Sequence, residues 1–235
     1  MCGKTVLVRV DYNVPFYPGT TKISDDSRIA FSIPTIRYLI QQRCKIILCS
    51  HIGRPEGKIV ENLRMAPIVK RLSEILGINV KYTPYPINQF TKESVSSLNP
   101  GEILMLENLR FNPGEEKNDL SFAMKLASFA DIYVNDAFGT AHRSHASTEK
   151  VAQCLPGVTG LLMERELEML TFTLNSAKKP FVGIIGGAKI SDKLSALEHL
   201  APKVDALLLG GGMIATFLKA KNVEVGDSLV ELDMI

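Results

Sequence analysis

The sequence has little of what membrane, secreted and disulfide-stabilised proteins need. Its four cysteines show no C-x-x-C spacing, which excludes a disulfide scaffold and the usual paired zinc or redox motifs. The longest apolar stretch, 206–218, is too short to span a bilayer and contains glycines. Charged Lys4, Arg9 and Asp11 interrupt the first apolar run, so it does not resemble a signal peptide. We therefore expect a cytoplasmic protein with reduced thiols, two of them facing the core near a strand. The cysteines are Cys2, Cys44, Cys49 and Cys154.

Bulk charge and two common nucleotide motifs are also missing. The net charge of +2 is too small to indicate nucleic acid or a membrane surface as a partner. No G-x-G-x-x-G follows the first strand-like run, which argues against a dinucleotide-dependent dehydrogenase, and no Walker A loop occurs. The 235 residues are enough for one large domain or two ordinary ones. Positive charge in this chain matters by its location.

Apolar runs of strand length alternate with helical patterns, which predicts an α/β protein with a mainly parallel sheet. One helix is predicted to begin near Pro34, a residue suited to the first helical position. A second should run from about Pro67 to Leu76 and end at Gly77. A further helix should be capped by Asn118 or Asp119. The predicted strands are 6–10, 46–49, 80–82, 103–106, 132–134, 181–185 and 206–209.

A glycine-bounded segment, 157–160, interrupts the pattern before another helix. Met163, Leu167, Leu170 and Leu174 follow at spacings of four, three and four, which predicts an amphipathic helix. Such a helix is either a crossover inside one domain or a connection between two lobes.

Four of the strand-like runs end in loops that carry an arginine. Arg28, Arg54, Arg110 and Arg143 follow the first, second, fourth and fifth runs respectively. The carboxyl ends of parallel strands meet at one edge of a sheet, where ligands bind. The planar guanidinium holds phosphate or carboxylate oxygens bidentately and stays charged at every working pH. The pattern therefore predicts a site for a small, highly anionic ligand such as a phosphorylated acid.

Other polar residues share these loops. Asp11 and Asn13 either contact the ligand or form a strand-end turn that caps neighbouring amides. His51, His142 and His145 are candidates for anion binding beside the arginines. A metal site is disfavoured, because no cysteine or carboxylate lies at ligand spacing and an arginine separates the last two histidines.

The second half of the chain offers two glycine clusters after predicted strands. The first begins at Gly186 and continues to Lys189 and Lys193, which are four residues apart and could project from one helical face toward a phosphate. The second is 210–212. Such clusters are either tight turns or places where backbone amides approach a nucleotide.

The same segments resemble the phosphoglycerate kinase family. Five such runs in this order are very specific for the family, and the resemblance covers essentially the whole chain. By this resemblance, we expect the chain to start a few residues into the usual first strand and to stop at Ile235, a little over halfway through the usual length. The runs are Arg9-Val10-Asp11-Tyr12-Asn13-Val14-Pro15, His51-Ile52-Gly53-Arg54-Pro55, Glu107-Asn108-Leu109-Arg110-Phe111, Asn135-Asp136-Ala137-Phe138-Gly139-Thr140-Ala141-His142-Arg143 and Gly186-Gly187-Ala188-Lys189.

The resemblance implies a two-lobed fold of parallel sheets flanked by helices, with the second lobe incomplete. Residues 1–160 would form the amino-terminal 3-phosphoglycerate-binding domain, 161–177 the interdomain helix and 178–235 a partial nucleotide-binding domain. The implied reaction is reversible phosphoryl transfer between 1,3-bisphosphoglycerate with ADP and 3-phosphoglycerate with ATP, in glycolysis, with hinge-bending. The acceptor is a carboxyl group. The full-length protein would be a monomer without nucleic-acid or membrane partners.

The resemblance also assigns residue roles. Mg²⁺ would accompany ATP or ADP, with its protein ligand beyond Ile235, so we expect this chain alone to be inactive. The alternative is a non-catalytic phosphoanion-binding fragment. The implied catalytic residues are Arg28, Lys189 and Lys193. The implied substrate-binding residues are Arg9, Asp11, Asn13, Arg28, His51, Arg54, Arg110, His142, Arg143 and His145. The implied nucleotide-binding residues are Gly186, Gly187, Ala188, Lys189, Lys193, Gly210, Gly211 and Gly212.

Overall fold

The computed structural model describes residues 3–191 and 193–235. They divide into two compact units, unit 1 up to Leu167 and unit 2 from Glu168 to Ile235. The domain boundaries predicted at 160 and 177 stay predictions. Cys44 and Cys49 are buried beside a strand, as expected, whereas Cys2 lies outside the described residues.

Unit 1 is built on a parallel sheet in the order β3-β4-β2-β1-β5-β6. On the central strand, Leu7 pairs with Ile47 on one side and with Tyr133 on the other. Helices cover both faces, which explains why these strands are apolar without alternation. The strands are β1 Thr5–Val10, β2 Lys45–Cys49, β3 Val80–Tyr82, β4 Ile103–Met105, β5 Ile132–Asp136 and β6 Gly157–Thr159.

The helices of unit 1 begin and end largely where local sequence signals occur. The Asp119 carboxylate accepts a hydrogen bond of 2.8 Å from the Phe122 N–H, so the predicted cap of α5 is confirmed. Gly77 ends α2 in the left-handed region at φ 72°, also as predicted. The helices are α1 Ser27–Gln41, α2 Ala66–Leu76, α3 Gln89–Ser96, α4 Pro113–Glu116, α5 Leu120–Ala127, α6 Val151–Cys154 and α7 Leu161–Ser176, the last of which continues into unit 2.

The prediction that the first helix begins near Pro34 is wrong. The helix starts at Ser27 and Pro34 lies in its interior. A proline there removes one backbone hydrogen bond and disfavours the helix by about 3 kcal/mol. Ile29 precedes the proline and Ile36 follows it, and both are fully buried against the sheet. Burial on both sides of Pro34 therefore outweighs the local preference.

The segment read as glycine punctuation is an additional strand, since β6 pairs with β5 from Gly157 to Thr159. Gly160 then presses against Asp136: a Cβ at Gly160 would lie 2.2 Å from the carboxylate Oδ1. The same oxygen accepts hydrogen bonds from the backbone N–H groups of Leu162 (2.9 Å) and Met163 (3.3 Å). Asp136 thus ties the start of α7 to the end of β5, and burial raises its pKa.

Two tyrosines in unit 1 bury hydrogen-bonded hydroxyl groups. The Tyr12 hydroxyl lies 2.7 Å from the Ser32 Oγ. The Tyr133 hydroxyl donates to the Ser147 carbonyl at 2.8 Å. Each ring fills the core without leaving its polar atom unpaired.

Unit 2 contains a two-stranded parallel sheet with Ile184 opposite Leu208. One face packs on the buried residues Ile190, Leu197 and Met213. The other face carries Ile184 and Leu208, which are 76% and 54% exposed. Its elements are β7 Val182–Gly186, α8 Leu194–Leu200, β8 Ala206–Gly210 and α9 Met213–Ala220.

A helix after the glycine segment is confirmed as α7, but burial of its predicted apolar stripe is not. Of its predicted apolar stripe, Met163 is buried, whereas Leu167, Leu170 and Leu174 are exposed. Within the described part of the chain, no helix is long and apolar enough to cross a membrane.

Candidate functional site

The predicted anion-binding residues of unit 1 follow the carboxyl ends of β1, β2, β4 and β5. In the sheet, β2 lies on one side of β1 and β5 lies on the other, so the direction in which strands are added reverses at β1. Such a reversal opens a crevice between the loops that follow the two sides, which is the usual ligand site of an open α/β sheet. Arg28 differs from the others, because it lies in the first turn of α1.

Arg9 is a buried charge at this edge, with 1% of its surface exposed. Its Nε donates to the Ser147 Oγ at 2.9 Å and its Nη2 to the His51 Nδ1 at 3.0 Å. Its Nη1 donates to the Val10 carbonyl. The guanidinium is therefore fixed in orientation by partners on three segments of the chain.

Arg110 joins the β4 loop to the β2 loop. Its Nη1 donates to the Gly53 carbonyl at 2.7 Å, and its Nε lies 3.2 Å from a carboxylate oxygen of Glu116. The Gly53 N–H in turn donates to the Asn13 Oδ1 at 2.9 Å. Gly53 has φ 62°, a left-handed conformation that suits glycine. Three of the predicted loops are thereby held together.

His51 supplies hydrogen bonding rather than positive charge. Burial, together with the nearby Arg9, Arg110 and Arg143 and the imidazole of His145, lowers its pKa from 6.5 to about 2. Burial also lowers the pKa of His145, which Glu115 opposes from 3.9 Å. At neutral pH the charge of the site comes from its arginines.

Part of this positive charge has no protein acceptor. The Arg143 Nε is buried and finds no hydrogen-bond partner among the described residues. Arg54 and His142 are exposed on the loops that follow β2 and β5. A buried donor left unpaired among like charges is expensive unless an acceptor joins it. The arrangement suits an anion with several oxygen atoms.

Asp11 and Arg28 form an ion pair, with the Arg28 Nη1 2.5 Å from the Asp11 Oδ2. The Asp11 Oδ1 also accepts the Asn13 N–H at 3.1 Å, which is the turn contact weighed as an alternative to ligand binding. Gly139 lies against the carboxylate, since a Cβ there would come within 2.9 Å of Oδ2. The pair thus connects the β1 loop, the start of α1 and the β5 loop.

Sequence reasoning missed Ser147 and Glu115, both fully buried beneath this cluster. The Glu115 Oε1 accepts the Ser147 hydroxyl at 2.6 Å, and its Oε2 accepts the Ser147 N–H at 3.0 Å. Ser147 belongs to a π-helical turn, Ala146–Lys150, of a kind often found at functional sites. No local signal marks these residues, because their contacts join segments far apart in the chain.

In unit 2 the two glycine clusters pack on one another. The Gly187 N–H donates to the Gly210 carbonyl at 3.4 Å, and the Met213 N–H donates to the Gly187 carbonyl at 3.0 Å. A Cβ at Gly211, where φ is 76°, would lie 2.7 Å from the Gly187 oxygen. These glycines permit a close approach of two backbones. A hollow of about 420 Å³ adjoins them, lined by Gly211, Gly212, Ile214, Ala215, Leu218, Glu224, Val225, Ser228 and Leu229.

The prediction that Lys189 and Lys193 share one helical face is wrong. Lys189 lies in the loop before α8, and Lys193 is the residue that immediately precedes the helix. Instead, contacts with Glu231 hold the loop between β7 and α8. That carboxylate accepts hydrogen bonds from the Ile190 N–H, from the Ser191 N–H at 3.2 Å and from the Ser191 hydroxyl at 2.6 Å. Both lysines are exposed.

Comparison with known proteins agrees over the full chain. The family model described as phosphoglycerate kinase matches residues 1–235. A phosphoglycerate kinase of Roseiflexus sp. (strain RS-1) is 54% identical over 235 residues, which are 99% of this chain and 59% of that protein. One from Pelotomaculum thermopropionicum is 51% identical over 233 residues, again 99% of this chain and 59% of its own length.

Solved structures give the same result. The phosphoglycerate kinase of Coxiella burnetii superposes with a TM-score of 0.83 at 39% identity, covering 99% of this chain and 58% of that one. The enzyme of Pyrococcus horikoshii OT3 superposes with a TM-score of 0.80 at 36% identity, covering 96% and 57%. The chain thus spans somewhat over half the length of the relatives it matches.

Proposed function

Because this chain belongs to the phosphoglycerate kinase family, we propose that unit 1 binds 3-phosphoglycerate or 1,3-bisphosphoglycerate. The reaction we assign to the whole protein is reversible phosphoryl transfer between 1,3-bisphosphoglycerate with ADP and 3-phosphoglycerate with ATP. The acceptor in the reverse direction is a carboxyl group. The activity is a proposal because the chain spans only 59% of the length of these two relatives.

The observation that supports this proposal is the arginine cluster at the carboxyl edge of the unit 1 sheet. Arg9 and Arg110 are buried and held by protein acceptors. Among the described residues the buried Nε of Arg143, like that of Arg110, has no hydrogen-bond partner, and Arg54 is exposed. Arg9 and Arg110 therefore set a fixed positive field, whereas Arg143 and Arg54 have donors available to bind phosphate oxygens.

Phosphoryl transfer needs little covalent chemistry from a protein. Charge spreads over the oxygens of the transferring group, so catalysis is mostly positioning and electrostatic stabilisation. The family resemblance assigns that task to Arg28, Lys189 and Lys193, whose roles stay predictions, as does the hinge motion. In this structure the Arg28 guanidinium is paired with Asp11. We propose that the substrate exchanges for part of that contact.

The glycine clusters of unit 2 support a proposal for ATP or ADP binding. The hollow beside them is lined mostly by apolar or small residues, among them Gly211, Leu218 and Val225, which suits a flat base. Mg²⁺ supplies charge neutralisation when it is bound with the nucleotide. The described residues contain no group of three or more His, Cys, Asp or Glu side chains that could hold a metal ion. We therefore assign Mg²⁺ no protein ligand among these residues.

Calorimetric titration with 3-phosphoglycerate tests the substrate site. Arg143→Ala should weaken binding about tenfold to a hundredfold, since a charge-assisted hydrogen bond contributes about 1.5–3 kcal/mol. Arg37→Ala, at an exposed arginine of α1, is the matched control and should bind as the unsubstituted chain does. Affinity should also fall with added salt. Equal affinities in all three proteins would contradict the proposed site.

The second candidate is a phosphoanion-binding module without catalytic activity. It is favoured by Glu231, because its carboxylate occupies the Ile190 and Ser191 amides beside Lys189. Titration with ATP and Mg²⁺, followed by a coupled kinase assay, separates the two. Because this chain alone is expected to be inactive, nucleotide binding without turnover supports the kinase proposal, whereas 3-phosphoglycerate binding alone supports the module. Turnover by this chain would contradict the expected inactivity.

A further inference from the structure

A continuous chain of buried hydrogen bonds runs beneath the anion site. Glu115 accepts from the Ser147 hydroxyl, Ser147 accepts from the Arg9 Nε, and the Arg9 Nη2 contacts the His51 Nδ1. The three distances are 2.6, 2.9 and 3.0 Å in that order. Every member is at least 97% buried, His51 being the most exposed at 3%. We call this set the Glu115 relay.

Ser147 is the centre of the relay because all of its polar groups are used. Its hydroxyl and its N–H both donate to the Glu115 carboxylate, and its carbonyl accepts from Tyr133. The hydroxyl proton is thus committed to Glu115, which leaves the Ser147 oxygen to accept from Arg9. Reversing any of these bonds would leave a buried group unpaired.

The relay determines which nitrogen of His51 carries the proton. A guanidinium has donors only, so the His51 Nδ1 must accept from Arg9. An accepting Nδ1 carries no proton, and the proton of the neutral ring must then be on Nε2. The ionisable groups that face the ring are Arg9, Arg110, Arg143 and His145, and all of them disfavour a second proton.

We infer that Glu115 and Ser147 are positioning residues of the anion site, which hold the Arg9 guanidinium in one orientation and fix His51 as a neutral Nε2–H donor. The identity of the anion rests on the proposed function, whereas the tautomer does not. The Glu115 charge also offsets some of the repulsion among the buried arginines, which a neutral residue there could not do. His51 therefore offers its Nε2–H as a hydrogen-bond donor at every pH at which the ring stays neutral.

Nuclear magnetic resonance of the full chain tests the relay. Long-range ¹H–¹⁵N correlation spectra distinguish the two neutral tautomers and the imidazolium. The chain has four histidines, and the signal lost in His51→Gln identifies the relevant one. We expect the Nε2–H tautomer, unchanged from pH 8 to pH 5. An imidazolium or an Nδ1–H ring in the unsubstituted chain would overturn the inference without any variant.

Two variants then test the direction of control. Ser147→Ala removes the acceptor of the Arg9 Nε and conserves shape, and Glu115→Gln removes the carboxylate. Each should mix the His51 tautomers or let the ring titrate between pH 5 and 8, and should weaken 3-phosphoglycerate about tenfold. Asp136→Asn, another buried carboxylate changed to an amide, is the control and should leave the His51 signal unaltered. Unchanged His51 signals in folded Ser147→Ala would refute the relay.

The two proposals can fail separately. If the unsubstituted chain does not bind 3-phosphoglycerate but shows the expected tautomer and its loss in Ser147→Ala, the relay stands and the ligand assignment is wrong. If binding is present and insensitive to Ser147→Ala, the site stands and the positioning role is wrong.

Discussion

The sheets of unit 1 and unit 2 are both parallel, yet their strands lie in different surroundings. In unit 1 the β2 residues from Ile46 to Cys49 are fully buried, with helices on both faces. In unit 2 one face of the sheet packs on a small core, while Ile184 and Leu208 are exposed on the other. A parallel sheet is normally covered on both faces. Over the described residues, the same strand–helix rhythm thus gives a sheet covered on both faces in unit 1 and on one face in unit 2.

The difference has consequences for the two candidate sites. The arginines of unit 1 are held by buried partners, so their geometry is fixed before any ligand arrives. Lys189 and Lys193 of unit 2 are exposed, and the loop between β7 and α8 is tied to Glu231 instead. We expect unit 1 to be preorganised and unit 2 to be adaptable.

The largest expected effect contrasts two leucines in strand interiors. Leu48→Ala in β2 removes a fully buried side chain and should reduce the free energy of unfolding by about 2–5 kcal/mol. Leu208→Ala in β8 removes one that is largely exposed and should change it by no more than about 0.5 kcal/mol. Urea unfolding followed by far-ultraviolet circular dichroism measures both. Comparable losses would mean that the outer face of the unit 2 sheet is covered in solution.

A smaller effect is expected from overpacking at the end of the unit 1 sheet. Gly160→Ala would bring a Cβ into the buried Asp136 side chain and should destabilise unit 1 by about 1–3 kcal/mol. Gly157→Ala, three residues earlier, meets its nearest atom at 3.5 Å and should be close to neutral. Thermal unfolding of the two variants checks this. A stable Gly160→Ala protein would indicate that β5 and α7 can move apart.

The third expected effect is a pH dependence of unit 1. Folded His51 has a pKa of about 2 against 6.5 in the unfolded chain, so only the unfolded chain gains a proton as the pH falls below 6.5. Its contribution to stability is therefore present above pH 6.5 and falls by about 1.4 kcal/mol per pH unit below it. The lowered pKa of His145 acts in the same direction as that of His51, and the raised pKa of Asp136 acts with the opposite sign. His51→Gln should flatten the slope between pH 6.5 and 5, and an unchanged slope would exclude His51 as its source.

Much of the fold was predictable from local signals. Strands appeared as apolar runs, and α2 and α5 ended or began at Gly77 and Asp119, where backbone geometry and capping are set by a single residue. The start of α1 was not predictable, because burial of Ile29 and Ile36 overrides the local preference of Pro34. The strand β6 was missed because its three residues are exposed and include no apolar run.

The arginines of the candidate site were predictable from the sequence, whereas the residues buried beneath them were not. Arginines that follow strand-like runs can be recognised in the sequence, because a parallel topology brings the loops that carry them to one edge of the sheet. The Glu115 relay could not be found this way, because Ser147 contacts Glu115 and Arg9 across 32 and 138 residues of chain. The pairing of Lys189 with Lys193 failed for a related reason: the helix that would align them begins only at Leu194.

The buried tyrosine hydroxyls have a consequence for spectroscopy. The chain contains no tryptophan, and its six tyrosines all precede Leu167. Tyrosine absorbance and emission of the native chain therefore report on unit 1 alone, with Tyr12 and Tyr133 as its interior reporters. Unit 2 contributes only the weaker, shorter-wavelength signal of its phenylalanines. A tryptophan introduced as Phe217→Trp on α9 would give unit 2 a separate signal, so that one sample could follow the two halves independently.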